Sequence, residues 1–449
     1  MDTSSASSYL QKRDETIAAP ATPPGRGALN LIRISGPLAV RGVERLTGKS
    51  FEDRRLTLVS IKDAGQAMAV VFRAPRSYTG QDMAEITLFG NPLLTMRLMR
   101  RLAGEGIRAA GPGEFTWRAF MAGKMDLTQA EAVHQIIEAV NPIQLKGAME
   151  GLAGAFGARI AQLRARTREV LTLVEAALEF PEDAVEAGDG VVRAALDGLG
   201  EETERLRNAV ARAAGIGAVT LVIAGPANAG KSTLFNALLG YDRALVHEQP
   251  GTTRDVLRET LLVREFPVAL SDTAGLYDNI DAITSLSMEK TQEALSDAFR
   301  ILFVVDGSLP AEGQIWPSMA PLLGGKALLV ANKCDLGLHP SWERPGLLAV
   351  SARGGAHLDR LWTAMEGWMD ELLLRGTETP FWVSLRQEQV LDAFVDSVRR
   401  ARTEAEAGGS LEIGAQHLWD GMRALQDLTG ELTPEEVLDG IFSRFCIGK

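Results

Sequence analysis

The residues with the clearest chemical potential form one run, Gly225 to Ser232, which reads Gly-Pro-Ala-Asn-Ala-Gly-Lys-Ser. The run fits the phosphate-loop pattern G-x-x-x-x-G-K-S and lies between an apolar stretch, 219–224, and a predicted helix. Backbone N–H groups of such a loop surround phosphates, and the N-terminus of the helix adds a positive dipole. Lys231 is predicted to reach the β- and γ-phosphates, and Ser232 to bind Mg²⁺. The alternative is a glycine-rich turn with a structural role alone.

Two four-residue motifs, each directly after an apolar run, add to this nucleotide site. The motif Asp-Thr-Ala-Gly at 272–275 predicts that Asp272 holds Mg²⁺ through water and that Gly275 faces the γ-phosphate. The motif Asn-Lys-Cys-Asp at 332–335 ends in Asp335, whose carboxylate can accept the amino and imino protons of guanine. Adenine offers no such pair of donors, so the sequence predicts GTP rather than ATP.

The segment 247–255, between the phosphate loop and Asp272, is predicted to bring further oxygen ligands to the site, with Thr253 as the natural second Mg²⁺ ligand. Asn228, in the phosphate loop, is interpreted in two ways: as a side chain that caps the loop, or as a ligand for a monovalent cation. Many GTPases orient the attacking water with a Gln directly after the Asp-Thr-Ala-Gly motif. Leu276 occupies that position here, so another group must orient the water.

The elements that must position these motifs alternate along residues 218–372. Short, nearly continuous apolar runs are typical of parallel strands that are buried on both faces of a sheet. Ser351 and Ala352 follow the last such run and fit the final guanine-binding loop. The runs that predict strands lie at 219–224, 267–271, 301–305, 327–331 and 347–350.

The regions on either side of residues 218–372 have different sequence patterns from this central region. Residues 17 to about 120 mix short apolar runs with Gly and Pro, and the runs at 28–34 and 67–72 predict strands of an α/β domain. From about 124, and again after 380, apolar residues follow helical spacing. The pattern therefore predicts a helical region that is interrupted by an inserted α/β domain.

Length and composition are those of an ordinary globular protein. The chain has 449 residues, of which 46% are hydrophobic and 23% charged, and this excludes disordered and collagen-like classes. Its net charge of −11 argues against a surface covered with nucleic-acid-binding charge, although it does not exclude a local basic patch. Only Cys334 and Cys446 are cysteines, which predicts a reducing, cytoplasmic location. No apolar run approaches the ~20 residues of a membrane span.

Further segments along the chain form a recognisable set with the GTPase motifs: Thr22–Gly27, Leu31–Gly36, Ser77–Asp82, Gly113–Thr116, Gly123–Ala132, Gly251–Asp255 and Phe445–Lys449. The terminal sequence Phe-Cys-Ile-Gly-Lys is highly specific, and it occurs together with the GTPase motifs. By these segments the chain resembles the MnmE (TrmE) family of tRNA modification GTPases over nearly its whole length.

This resemblance implies an α/β plus α fold with three domains. An N-terminal α/β domain at 1–122 would bind tetrahydrofolate and dimerise, and a discontinuous helical bundle at 123–215 and 374–449 would carry an inserted Ras-like P-loop GTPase domain at 216–373. It further implies a homodimer that joins the flavoprotein MnmG (GidA) in a heterotetramer. Together they would add a carboxymethylaminomethyl-type group to carbon five of the tRNA wobble uridine, using a folate one-carbon unit.

Four residues match the family's contacts to 5-formyltetrahydrofolate or a related folate: Arg33, Glu85, Lys124 and Lys449. Arginine and lysine can pair with the carboxylates of the folate's glutamate tail, and one carboxylate can hold the amide-like edge of the pterin. Without the resemblance, Glu85 is a solvated acid at the end of a strand, and Lys124 an exposed lysine at the start of a helix.

The resemblance also assigns the ions. Ser232 and Thr253 match the Mg²⁺ ligands, and Asn228 with the backbone of His247, Gln249 and Thr252 matches the K⁺ ligands. Catalytic roles are predicted for Lys231, Thr253, Asp272 and Cys446, although a thiol near a chain end is more often a small buried hydrophobe. The residues predicted to contact GTP are Asn228, Ala229, Gly230, Lys231, Ser232, Thr233, His247, Thr252, Thr253, Asp272, Thr273, Ala274, Gly275, Asn332, Lys333, Asp335, Ser351 and Ala352.

One departure from the family concerns the attacking water. Thr284 stands where an ungapped alignment places the family's water-orienting Glu, and its hydroxyl is neutral and shorter. Asp281 or Glu289 would be the acid that compensates, or a solvated residue without this role. The sequence therefore predicts slower hydrolysis than in a relative that carries the Glu.

Two other classes of GTPase compete with this interpretation. A GTPase of ribosome assembly would need a basic RNA-binding appendage after the GTPase domain, whereas 401–439 contains many acids. A membrane-associated mechanical GTPase would need a span or a basic amphipathic stretch, and the sequence contains neither.

Overall fold

The structure is a computed structural model that describes residues 14–179, 189–214, 219–240, 258–272, 295, 298–314, 325–375, 381–407 and 409–449. The chain forms two compact units. The first comprises Met1–Ile137, Ala148–Asn208 and Val383–Lys449, and the second comprises Glu138–Gly147 and Ala209–Trp382. The finer division into three domains stays a prediction.

Strands and helices are numbered here in chain order, within the described residues. The strands are β1 (Ile17–Pro20), β2 (Leu29–Ser35), β3 (Thr57–Ile61), β4 (Gly65–Phe72), β5 (Met83–Phe89), β6 (Arg108–Ala109), β7 (Val219–Ala224), β8 (Arg258–Val263), β9 (Phe266–Asp272), β10 (Arg300–Asp306), β11 (Ala327–Asn332) and β12 (Leu348–Ala349). The helices are α1 (Ala39–Thr47), α2 (Pro92–Gly104), α3 (Glu114–Met121), α4 (Leu127–Glu138), α5 (Pro142–Leu152), α6 (Ala155–Glu179), α7 (Asp189–Ala214), α8 (Lys231–Leu239), α9 (Leu358–Arg375), α10 (Leu385–Glu406), α11 (Leu411–Thr429) and α12 (Glu435–Phe442).

The first unit contains a six-stranded sheet in the order β3-β4-β5-β2-β1-β6. Its pairs are antiparallel except for β1 with β6, and the register places Arg33 of β2 opposite Glu85 of β5. Alternate residues of β4 are buried, as expected for a sheet with one face on a core. Helices α1 and α2 cover that face with Val43 and Leu98. The predicted strands at 28–34 and 67–72 are confirmed as β2 and β4.

The helical part of the first unit is built around α6, α10 and α11, whose buried residues include Leu163, Phe394 and Leu418. A Cβ at position 421 would lie 2.2 Å from Ser397 Oγ, so Gly421 permits the close approach of α10 and α11. The helical region predicted from about 124 onward is confirmed here by α6 and α7.

A buried carboxylate holds the start of α10, where the chain returns to the first unit. Glu131 of α4 is 5% exposed and accepts hydrogen bonds from Arg386 Nη2 and Gln387 Nε2, each at 2.7 Å, and from Ser384 Oγ at 2.8 Å. Arg386 Nη1 also donates to the carbonyl oxygen of Asp427 at 3.2 Å. These bonds join α4, α10 and α11, since each donor or acceptor lies in or beside one of these helices.

The second unit contains a six-stranded sheet in the order β12-β11-β10-β7-β9-β8. All neighbouring pairs are parallel except β8 with β9. Alternate residues of the inner strands enter different buried clusters: Leu302 and Val304 belong to one, and Phe303 and Val305 to the other. The sheet is thus buried on both faces, as the apolar runs predicted. All five predicted strands are confirmed, whereas β8 was not predicted. In the part of the chain that is described, no helix has the length and apolarity to cross a membrane.

Candidate functional site

The phosphate loop joins the end of β7 to the start of α8 and depends on its two glycines. Gly225 has φ +144°, and a Cβ there would lie 2.0 Å from the carbonyl oxygen of Val304. Gly230 caps α8 with φ +89°, and its Cβ would lie 2.3 Å from Asn332 Nδ2. Both positions therefore require glycine for backbone conformation and for space. The loop fits its predicted role, because the open first turn of α8 follows it directly.

Asn332 connects three of the predicted motifs. Its Nδ2 donates to the carbonyl oxygen of Ala229 at 3.0 Å, and its Oδ1 accepts from the amide of Ala352 at 2.9 Å. The side chain is buried, so either bond, if lost, would leave a polar group without a partner. The phosphate loop, the end of β11 and the loop after β12 are thereby held at one edge of the sheet.

The ammonium group of Lys231 lies against the phosphate loop. Its Nζ donates to the carbonyl oxygen of Pro226 at 3.0 Å, and the residue is buried. Ser232 and Thr233 follow it in the first turn of α8 and are exposed. Asn228 takes a left-handed backbone conformation at φ 62°. These positions suit phosphate and Mg²⁺ contacts, because the hydroxyl of Ser232 and the loop lie together at the start of α8.

Asp306, at the end of β10, contacts the candidate site through Lys333 and was not predicted from the sequence. Its Oδ2 lies 2.7 Å from Lys333 Nζ, and its Oδ1 accepts from the amide and hydroxyl of Ser308. Burial raises the pKa of Asp306, but hydrogen bonds from Lys333 and Ser308 outweigh this effect, so the pKa is lowered overall. Its position directly after the run 301–305, at the same edge as Asp272 and Asn332, was the available signal.

The residues predicted to bind guanine lie after the ends of β11 and β12. Asp335 is exposed on the short helix Cys334–Leu336, which follows Lys333 with its left-handed φ of 63°. The hydroxyl of Ser351 accepts a hydrogen bond from the amide of Gly354 at 3.0 Å and shapes the final loop. Burial and the nearby charge of Asp335 raise the pKa of the Cys334 thiol, in keeping with a neutral side chain.

Several predicted site residues fall outside the described part of the chain. For Asp272 the backbone alone is described: it ends β9 and pairs with Ile223 of β7, two residues before Gly225. Within the described residues, no group of three or more His, Cys, Asp or Glu could hold a metal ion. The residues outside the described part are His247, Gln249, Thr252, Thr253, Thr273, Ala274, Gly275, Leu276, Asp281, Thr284 and Glu289.

Replacement of Asp335 by Asn is expected to reverse the base preference of this site. The amide would present a donor to the guanine edge, and a mismatched polar pair costs about 1–3 kcal/mol, or roughly 5- to 150-fold in GTP affinity. Xanthosine triphosphate has the complementary edge and should bind the variant better than GTP. Nucleotide titrations measure both affinities, and unchanged GTP binding by the variant would remove Asp335 from the guanine site.

A second candidate site is a cavity of about 360 Å³ in the first unit. Glu85 lines the cavity, and its Oε1 lies 3.0 Å from the Nε of Arg33; both side chains are half-buried. The Arg33 guanidinium also lies over the rings of Tyr78 and Phe115, at 5.5 and 5.9 Å. The residues that line the cavity are Arg54, Phe72, Arg76, Ser77, Tyr78, Met83, Glu85 and Lys124.

The C-terminal segment 446–449 is held beside this cavity. Arg33 Nη1 donates a hydrogen bond to the carbonyl oxygen of Gly448 at 3.4 Å. The amide of Phe115 donates to the carbonyl oxygen of Lys449 at 3.0 Å. Gly448 has φ +97°, and a Cβ there would lie 2.2 Å from the carbonyl oxygen of Pro20. The segment thus contacts Arg33 and the start of α3, and the thiol of Cys446 is exposed. Three of the four predicted folate residues, Arg33, Glu85 and Lys124, line or adjoin the cavity, and the backbone of Lys449 is tied to α3.

A buried ionic network supports the same region, and its residues were not predicted from the sequence. Glu114, at the start of α3, is fully buried and accepts from Arg108 Nη2 at 2.6 Å and from Arg118 Nη2 at 2.9 Å. Arg118 Nη1 donates to Gln81 Oε1 at 2.9 Å. The loop that contains Gln81 also supplies Tyr78, whose hydroxyl is bonded to that of Thr116 at 2.9 Å. Helix α3 therefore fixes one wall of the cavity as well as the C-terminal segment.

The matching family models and the named relatives agree on one family. Residues 127–446 match the model of the MnmE helical domain, and residues 16–124 match that of the GTP-binding protein TrmE N-terminus. The chain is 37% identical over 453 residues to the tRNA modification GTPase MnmE of Akkermansia muciniphila, a match that covers 97% of this chain and 99% of that protein. The same-named protein of Thermus thermophilus is 38% identical over 447 residues, with the same coverage. Among solved structures, the G domain of the T. maritima FeoB iron transporter covers 34% of this chain and is itself covered to 99%, at 20% identity and a TM-score of 0.25.

Proposed function

The chain belongs to the MnmE (TrmE) family of tRNA modification GTPases, and from this membership we propose that it uses GTP hydrolysis to drive modification of carbon five of the tRNA wobble uridine. The one-carbon unit comes from a folate, the product carries a carboxymethylaminomethyl-type group, and the flavoprotein MnmG is the partner. The observation that carries the folate part of this proposal is the cavity beside the Arg33–Glu85 pair, with the C-terminal segment bonded to Arg33.

In this proposal the second unit binds and hydrolyses GTP. Lys231 and the amides of the phosphate loop bind the phosphates, and Ser232 and Asp272 bind Mg²⁺. Asp335 accepts hydrogen bonds from guanine. When bound, Mg²⁺ neutralises charge on the phosphoryl oxygens. Lys231 acts where negative charge develops, so its effect falls mainly on the transition state.

The folate-binding part of the proposal assigns different tasks to the two ends of the ion pair at the cavity. Glu85 accepts hydrogen bonds from the N–H donors of the pterin edge, and Arg33 orients the Glu85 carboxylate through its 3.0 Å contact. Lys124, which lines the cavity, offers a positive charge to the ligand's carboxylates. Cys446 lies in the segment that Arg33 holds, so we propose that its exposed thiol acts on the one-carbon chemistry.

The assembly is also part of the proposal. We infer a homodimer through the N-terminal region and a heterotetramer with MnmG. A net charge of −11 supports a division of labour in which the partner holds most of the tRNA. A tRNA-binding assay on the chain without its partner tests this division, and tight binding by the chain alone would contradict it. A cytoplasmic location stays a prediction.

We propose that K⁺ stimulates hydrolysis and that Asn228 is one of its ligands. Asn228 lies within the phosphate loop and has a left-handed backbone conformation. A cation held there, with His247, Gln249 and Thr252, would add positive charge near the transferring phosphoryl group. Hydrolysis should therefore be faster in K⁺ than in Na⁺ at equal ionic strength. Equal rates in the two salts would contradict this assignment.

Replacement of Glu85 by Gln tests the folate site. The variant should bind 5-formyltetrahydrofolate about 10- to 100-fold more weakly than the unmodified chain, because a hydrogen bond to a charged group contributes about 1.5–3 kcal/mol. Isothermal titration measures the affinity. The matched control is Glu52→Gln, since Glu52 is an exposed acid of the same unit that does not line the cavity. The folate proposal fails if the unmodified chain does not bind the compound.

A further inference from the structure

Positive charges outnumber negative charges at the cavity. Of the eight residues that line it, three are cationic and one is acidic. Two neighbours change this balance little: Arg33 pairs with Glu85, and Asp53 lies 3.5 Å from Arg76 and 3.9 Å from Arg54. With both neighbours counted, the positive charges exceed the negative ones by two. The cavity is therefore suited to a ligand that carries several negative charges.

The charged side chains at the cavity differ in how far they are exposed to solvent. The side chains of Arg33 and Glu85 are 20% and 21% exposed, whereas those of Arg54 and Arg76 are 51% and 76% exposed. The acid that could hold a neutral donor edge is thus on the inner side, and Arg54 and Arg76, which share the single carboxylate of Asp53, are on the solvent side. A ligand that matches this order has a flat donor–acceptor head and an anionic chain that leads toward solvent.

The Arg54 side chain is held in place by contacts within the chain. Arg54 donates through Nη2 to the carbonyl oxygen of Arg76, and its guanidinium lies 5.4 Å from the centre of the Phe72 ring. Its backbone is bonded to β4, because the Arg54 amide donates to the carbonyl oxygen of Val71 at 2.8 Å. Since these contacts restrict Arg54, binding an anion there loses less side-chain entropy than binding to an unrestrained side chain.

We propose that Arg54 and Arg76 bind the poly-γ-glutamyl tail of the folate, so that the preferred ligand carries several glutamates rather than one. This inference rests on the folate binding proposed above and goes beyond it in naming the form of the ligand. Each added γ-linked glutamate contributes one further carboxylate to the chain. A guanidinium group can hold a carboxylate through two parallel hydrogen bonds, which favours arginine at such a position.

The expected effect is a gain in affinity with tail length. Exposed ion pairs each contribute about 0.2–1 kcal/mol, so two of them give roughly a two- to thirtyfold preference for triglutamate over monoglutamate. Because these pairs are exposed, the preference should decrease at high salt. The affinity for the monoglutamate should depend less on the two arginines, since its head is held on the inner side.

The experiment compares 5-formyltetrahydrofolate monoglutamate and triglutamate by isothermal titration of the full chain at low and high salt. The double variant Arg54→Gln, Arg76→Gln should keep monoglutamate binding and lose most of the preference for the longer tail. The matched control is Arg97→Gln with Arg100→Gln, which removes the same charge from two exposed residues of α2 that do not line the cavity. This control should retain the preference.

Each outcome has a separate meaning. Equal affinity of the unmodified chain for both tails overturns this inference and leaves the folate site in place. A tail preference that survives in the Arg54 and Arg76 double variant also overturns it. If the unmodified chain binds neither compound, the proposed folate function itself fails, and the tail inference fails with it.

Discussion

A Lys231→Met variant is expected to hydrolyse GTP about 10²- to 10³-fold more slowly than the unmodified chain, the loss seen when one preorganised donor to a developing negative charge is removed. Lys231 Nζ already lies against the phosphate loop, 3.0 Å from the Pro226 carbonyl oxygen, so little reorganisation is needed when phosphate enters. Methionine keeps much of the length and apolar contact of the lysine stem without its charge. Single-turnover hydrolysis at saturating GTP measures the effect on the chemical step.

The control for this variant is Lys326→Met. Lys326 is an exposed residue directly before β11, at the edge of the sheet away from the carboxyl ends of the strands. It should leave the turnover number unchanged. A Lys231→Met variant with normal turnover would show that the phosphate loop is not the site of hydrolysis.

The second large effect is expected on stability. Glu114→Ala should lower the free energy of unfolding by about 3–5 kcal/mol, the cost of breaking one partner out of a buried ion pair. The side chain of Arg118 is 1% exposed, so its charge would remain buried after its closest carboxylate was removed. Urea unfolding of the full chain measures the change in midpoint.

The stability control is Glu52→Ala. Glu52 pairs with Arg55 at 2.8 Å, but its side chain is 73% exposed, so its loss should change the free energy of unfolding by less than about 1 kcal/mol. If Glu114→Ala were as mild as this control, the network of α3 would not be what stabilises the cavity wall.

The carboxylate of Glu114 also makes the stability of the chain depend on pH. Burial raises the pKa of Glu114, but hydrogen bonds from Arg108 and the Gly111 amide, together with the charges of Arg118 and Arg108, lower it overall. A depressed pKa in the folded chain means that the stabilisation is present above the ordinary carboxyl pKa and is lost as the pH falls through the folded one. Stability should therefore fall in acid, and Glu114→Gln should make that fall less steep.

Local sequence patterns predicted the inner strands well because those strands are buried on both faces. The runs at 301–305 and 327–331 are apolar at every position or nearly so, and they become β10 and β11. Strand β8 (Arg258–Val263) was missed because an antiparallel edge strand that opens with Arg, Glu and Thr lacks that continuous apolar pattern.

The ion networks were harder to predict because their partners are far apart in the sequence. Glu131 and Arg386 are separated by 255 residues, and Arg33 and Gly448 by 415. Spacing within one helix or strand contains no information about such pairs. Arg33 and Glu85 were assigned from family resemblance, and their direct contact follows from the register of β2 and β5.

The interruption of the first unit by the second has a consequence for the order of events during synthesis. Residues 209–382 of the second unit are continuous and can begin to fold on the ribosome as soon as they emerge. The first unit must wait, because Glu131 meets Arg386, and the start of α3 meets residues 446–449, only after the inserted segment has been made. Chains stopped after residue 382 should therefore resist protease in the second unit while the N-terminal segment is still cleaved. Equal resistance of both segments at that length would mean that the early strands fold without their late partners.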